Sequence, residues 1–138
     1  MADIVETAEK AGSFKTLLQA LQATGLVDFL KSPGPFTVFA PTDEAFAKLP
    51  KDTLDSLMQD LPKLKRILMY HVASGDIRAE DLMENDEAPT EEGSIVAIDT
   101  SDGIKVNEAK VITPDILTDN GVIHIIDTVL IPSVLAAE

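Results

Sequence analysis

The segment Phe36–Phe46 (FTVFAPTDEAF) compresses a strand, a stop and a helix start into eleven residues, and it constrains this chain more than any other feature. Phe36, Val38 and Ala40 alternate with Thr37 and Phe39, the period of two that a strand requires. Pro41 ends it, because proline has no N–H for a ladder. Thr42 is placed to cap a helix, and Asp43 and Glu44 put negative charge at the positive end of its dipole. Phe46 and Leu49 then face inward. The chain must leave a strand and enter a helix with almost no loop.

The rest of the first half reads helical. Ile4, Val5, Ala8 and Ala11 share one face, and Gly12 supplies a stop. Ser13 is placed to cap a second helix carrying Phe14, Leu17, Leu18 and Leu21, which ends near Gly25. Leu26 to Leu30 make a short third piece, and Ser32-Pro33-Gly34-Pro35 breaks the chain before the strand. Asp52 starts a segment with Leu54, Leu57, Met58 and Leu61. Pro62 suits the first turn of the next helix, with Leu64, Ile67 and Leu68 on its face. That helix runs into Tyr70-His71-Val72-Ala73.

The second half reads as strands. Ile95–Ile98 and Ile104–Val106 flank the turn signal Ser101-Asp102-Gly103. Val111-Ile112 follows, and Pro114 points to an edge or an end. Asp119-Asn120-Gly121 makes a tight turn before Val122–Ile126. Between the halves lies an acidic stretch from Asp76 to Glu92, with Glu80, Asp81, Glu84, Asp86, Glu87 and Glu91; Leu82 and Met83 suggest one helical turn on it. Helices followed by strands indicate an α+β fold.

Composition narrows the function. A chain of 138 residues has the usual size of one domain, and 1–138 is expected to be one, with its core in about 4–132. Aromatic residues make up only 4% and tryptophan is absent, so the core must be aliphatic. That composition disfavours readers that stack sugars or bases on aromatic platforms. With 24 acidic against 11 basic residues the net charge is −13, which repels phosphate backbones and anionic membranes. The charge serves solubility and suits a monomer; it also favours cationic or cation-bridged partners. No cysteine is present, so thiolate chemistry is excluded. No apolar run approaches the ~18 residues of a membrane span, and Asp3, Glu6 and Glu9 interrupt any signal-peptide core. Either a cytoplasmic protein or one whose leader has been removed fits this start.

The titratable residues suggest no reaction. His71 and His124 are the two histidines; neither Gly-x-Ser-x-Gly nor His-Glu-x-x-His is present. His124 sits among Val122, Ile123, Ile125 and Ile126, the setting of a satisfied, partly buried imidazole. His71 lies where a helix meets a strand, and either bonds across that junction or offers an interaction site. Asp99–Gly103 resembles a calcium loop only superficially, since the first ligand position falls on Ile98. No catalytic residue, metal or cofactor is expected. The surface candidate is Thr113-Pro114-Asp115-Ile116-Leu117: Asp115 offers a carboxylate, and Ile116 and Leu117 are either docking contacts or core.

Three of these segments carry a family resemblance. Phe36–Phe46 resembles the first signature motif of fasciclin-type (FAS1) domains, Tyr70-His71 their central Tyr-His motif, and Asn120–Pro132 their second long motif, in that order. The resemblance spans Ile4 to Pro132. It implies a twisted β-sandwich or wedge in the C-terminal half, with the N-terminal helices packed around it. It implies a non-catalytic adhesion or interaction module with a protein or glycan surface partner, in an extracellular, periplasmic or cell-surface setting. Asp115-Ile116 resembles the family's Asp-Ile recognition motif, and Tyr70-His71 a second one, so Tyr70, His71, Asp115 and Ile116 are the implied binding residues. Because the first and central motifs lie close together in the family, a structural polar network over Thr42, Asp43, His71 and His124 is expected, with His71 bonded near Thr42. The competing readings are a scaffold domain within a larger assembly and a small-ligand binder or enzyme with a cleft around Tyr70 and His71.

Overall fold

The computed structural model describes residues 3–49, 51–84, 87–91, 93, 95–101, 103–107 and 109–130. Asp86, Glu92, Asp102, Ile131 and Pro132, which enter the readings above, lie outside the described residues.

Three helices open the chain: α1 (Ile4–Ala11), α2 (Lys15–Thr24) and α3 (Val27–Lys31). Asp3 caps α1 by accepting from the Glu6 amide at 2.8 Å. Gly12 and Gly25 end α1 and α2 at φ 76° and 75°, a left-handed conformation that costs glycine least. Ser13 does not cap α2. Phe14 holds the N-cap position without a side-chain bond, and the first-turn amide of Thr16 is taken by Asp43 Oδ1 at 2.8 Å. A residue 27 positions away in sequence does the work expected of a neighbour.

Strand β1 (Phe36–Pro41) passes through Thr42 into α4 (Asp43–Ala47), and Thr42 Oγ1 accepts from the Ala45 amide at 3.2 Å. Helices α5 (Lys51–Gln59) and α6 (Leu61–Met69) follow; Asp60 caps α6 and Pro62 sits in its first turn, where no N–H is missed. Then come β2 (Val72–Ser74), the five-residue α7 (Ala79–Met83), β3 (Glu87–Pro89), β4 (Ile95–Asp99), β5 (Lys105–Val106), β6 (Ala109–Thr118) and β7 (Gly121–Ile126).

The strands form one mixed sheet in the order β2-β1-β7-β6-β5-β4-β3. Among the named strands of the described residues, β1 and β7 are the parallel pair, from Phe36 opposite Gly121 to Pro41 opposite Ile126. The α+β class holds, and the sheet also draws β1 and β2 from the first half of the chain. Its two ends approach each other: the Glu91 amide, just beyond β3, donates to the Val72 carbonyl of β2 at 2.7 Å.

Every residue of β1 is buried, because its two faces meet different cores. Phe36, Val38 and Ala40 join Ile4, Leu17, Leu30, Leu64 and Ile67 in a helix-side cluster. Phe39 turns to a second cluster with Tyr70, Leu82, Val96, Val106 and Ile126. Each large aliphatic buried this completely contributes about 1.5–3 kcal/mol. Pro114 does not end β6, but it does sit on an edge: β5 pairs with β6 at Ala109 and Lys110, and beyond them β6 is paired with β7 on one side among the described residues. The strand runs through it with register shifts between Val111 and Thr113 and between Thr113 and Ile116. Such bulges tolerate the missing N–H.

Candidate functional site

α6 ends at Tyr70, and the chain turns at His71 into β2, which leaves the His71 ring inside the protein at 1% exposure. Nδ1 lies 2.7 Å from the Ile67 carbonyl oxygen, and Nε2 accepts from the Leu130 amide at 2.8 Å. A carbonyl can only accept and an amide only donate, so the ring is neutral with its proton on Nδ1. Burial pushes His71 down from 6.5 to about 4, against a smaller opposing effect of the Ile67 bond. With both nitrogens committed and no access, His71 cannot serve as a base or a docking contact. Tyr70 is also enclosed, at 4% exposure. Its hydroxyl donates to the Ile95 carbonyl at 2.9 Å and accepts from Asn107 Nδ2 at 3.0 Å, tying the end of α6 to β4. The implied Tyr-His docking surface is thus corrected to an internal clamp.

The expected bond between His71 and the Thr42 region is not made. Thr42 serves α4, Asp43 serves α2, and His71 serves α6 and the segment after β7. His124 belongs to another junction. Alternation along β7 sends Ile123 to the helix-side cluster and His124 to the opposite face, where its ring stacks on Phe39 at 5.7 Å. Thr42, Asp43, His71 and His124 thus occupy four separate local junctions among the described residues.

The His124 junction joins three elements. Nδ1 accepts from the Asp115 amide at 3.2 Å, and Nε2 faces the Ile77 carbonyl at 2.7 Å, so here the proton is on Nε2. The same Ile77 donates its amide to Thr37 Oγ1 at 2.8 Å, and that hydroxyl donates to the Gly75 carbonyl at 2.7 Å. Burial also lowers His124 below its ordinary value, partly offset by the Ile77 bond and by the Asp115 and Asp76 charges. Asp115 holds φ 59°, a left-handed turn inside a strand. Its Oδ1 accepts from Ala79 N, the first amide of α7, at 2.8 Å.

Asp115 remains exposed, Ile116 is half-buried against the helix-side cluster, and Leu117 is 45% exposed. Ile112, earlier in β6, is 54% exposed. A cleft of about 430 Å³ borders this strand, lined by Pro33, Pro35, Asp76, Arg78, Leu117 and Asp119. Arg78 closes a two-pronged pair on Asp76 at 3.1 Å, which holds the Asp76 carboxyl below its ordinary value. Neither histidine lines the cleft. Among the described residues, no group of three or more His, Asp or Glu side chains converges to hold a metal. No described helix is long and apolar enough to cross a membrane.

One organising residue escaped the sequence reading beyond its place in a turn. Asn120 Oδ1 accepts from the Ile4 amide at 3.0 Å, while Nδ2 donates to the Leu30 and Ser32 carbonyls at 2.6 and 2.9 Å. Its own carbonyl accepts from the Phe36 amide at 3.0 Å. Its side chain therefore closes the start of α1 and the end of α3, and its backbone carbonyl holds the entry to β1. Gly121 beside it is required: a Cβ there would overlap the Phe36 carbonyl oxygen across the parallel pair. The Asn-Gly dipeptide signalled the turn, but nothing local signalled the partners.

This topology is that of a known fold. A FAS1 domain pair from the insect cell adhesion molecule fasciclin I superposes with a TM-score of 0.68 over 88% of this chain and 46% of that one, at 22% identity. The family model for the fasciclin domain matches residues 12–132, and the chain belongs to the fasciclin family. An uncharacterised protein of Synechocystis sp. is 52% identical over 131 residues, covering 95% of this chain and 98% of that protein. A cell surface glycolipoprotein of Mycobacterium bovis is 34% identical over 134 residues, covering 94% of this chain and 60% of that protein.

Proposed function

We propose that this chain is a non-catalytic interaction module that docks a protein on a cell surface or in a matrix, outside the cytoplasm, through the outer face of β6. The carrying observation is that Asp115 is exposed with its backbone amide held by His124 and its Oδ1 by the Ala79 amide, on a strand that also carries the exposed apolar side chains of Ile112 and Leu117. A carboxylate flanked by aliphatic side chains suits recognition, and a backbone already held in shape loses little entropy on binding. Membership of a family that includes a cell surface glycolipoprotein supports the setting. The buried, doubly bonded state of His71 weighs against chemistry at the Tyr-His pair. Of the four resemblance-implied residues Asp115 is the exposed one, with Oδ1 committed to the Ala79 amide, and Ile116 has a mixed role.

The test is attachment of intact bacterial and animal cells to surfaces coated with the protein. Ile112→Ser with Leu117→Ser should abolish attachment while shifting stability by about 0.5 kcal/mol or less per site. Attachment equal to the parent would move the docking face elsewhere. Attachment to no cell type would leave the scaffold reading in its place.

A further inference from the structure

The His124 junction controls the shape of the docking face, and this inference rests on the reading of that face only for its biological consequence. The Asp115 amide points at an unprotonated Nδ1, and the Ile77 carbonyl at a protonated Nε2. Both contacts need the neutral ring. A second proton on Nδ1 would face the Asp115 N–H, donor against donor, and that bond must open. We infer that His124 is an acid-sensitive pin: when it gains a proton it releases the Asp115 backbone, draws the Asp115 carboxylate away from Ala79 as its new partner, and so dismantles the β6 bulge and uncaps α7.

The surroundings favour this rearrangement over general unfolding. The charged groups around the ring are Asp115 from β6 and Asp76 from the loop before α7, the latter paired with Arg78; β1 contributes only the Phe39 ring and Thr37, which holds the Ile77 amide. Two carboxylates can therefore receive the new charge without disturbing the aliphatic clusters. Nε2–H keeps its bond to Ile77, so the 75–79 loop stays on the sheet while Asp115 moves. Burial holds His124 below 6.5, which places the transition on the acid side of neutrality.

The experiment follows the Asp115 and Ala79 amides and the His124 ring protons by NMR between pH 7.5 and 5, with hydrogen exchange at both ends. The amides should move with the same midpoint as the His124 ring. Their protection, corrected for intrinsic exchange, should fall on the order of tenfold beyond any loss shared with the core amides of Leu17 and Ile67, whose chemical shifts should not follow the His124 midpoint. His124→Asn keeps an acceptor at the position of Nδ1 and cannot titrate, so its Asp115 amide should stay fixed across this range. Unmoved Asp115 and Ala79 amides while His124 titrates would overturn the pin, as would the same movement in His124→Asn. Should that variant not fold, the shared or unshared midpoint in the parent decides. Cell attachment measured over the same pH range separates the two ideas. Coupled amides with no attachment at any pH support the pin and reject the docking face; attachment that ignores pH while the amides move rejects the link between them.

Discussion

The His71 imidazole accepts the Leu130 amide at 2.8 Å, a bond between residues 59 positions apart that ties the end of α6 to the segment leaving β7. The acceptor nitrogen must stay unprotonated for this bond to exist. The histidine of the Tyr70-His71 pair is a clasp inside the fold.

Stability should fall in acid because of that clasp. His71 titrates near 6.5 when unfolded and near 4 when folded, so the unfolded chain gains the proton first as pH drops. The contribution is fully present above 6.5 and is lost progressively down to about 4. A shift of that size corresponds to about 3 kcal/mol. His124, also lowered, acts in the same direction. Urea midpoints from pH 7.5 to 4 check this, and a midpoint that rises through the interval would contradict the neutral-ring assignment.

The two caps around β1 should behave independently. Thr42→Ala removes the acceptor for the Ala45 amide, and Asp43→Ala removes the one for Thr16; each should cost about 1 kcal/mol. Because Thr42 has no bond to His71, the His71 titration should be identical in Thr42→Ala and the parent. A changed His71 midpoint by NMR would restore the link that the geometry denies.

Asn120 offers a sharper contrast. Asn120→Ala leaves the Ile4 amide and the Leu30 and Ser32 carbonyls without their partner, at a cost of about 3 kcal/mol. Asn120→Asp keeps the Ile4 acceptor but turns a carboxylate oxygen toward two carbonyls, so it should destabilise at least as much at neutral pH. Thermal unfolding of both variants decides; a benign Asn120→Asp would mean that the donor side of the amide is unimportant.

Ile116 and Leu117 should separate packing from contact. Ile116→Ala opens space against the helix-side cluster and should cost about 2 kcal/mol, the low end for a core aliphatic because the side chain is half-buried. Leu117→Ala should leave the denaturation midpoint within about 0.5 kcal/mol of the parent. The reverse order would exchange their assigned orientations.

Much of this protein follows from local chemistry. The strand–proline–cap order at Phe36–Thr42, the helical faces of α1, α2 and α6, the Pro62 start and the single turn at Leu82 each need only neighbours within a few residues, where sterics and capping bonds act. What local order could not decide is which distant group satisfies each buried polar atom. Asp43 displaced Ser13 as the partner of α2 because the fold carries the start of α4 to the start of α2. β6 continued through Pro114 because a bulge, pinned by His124 from β7, absorbed the missing N–H. Tyr70 and His71 became internal for the same reason: the sheet brings β4 and the segment after β7 over the end of α6, and a buried hydroxyl and imidazole must bond there or lose stability. Periodicity records which face a residue takes along its own element, whereas hydrogen-bond partners 27 to 116 positions away exist only once the parallel pairing of β1 with β7 has closed the chain.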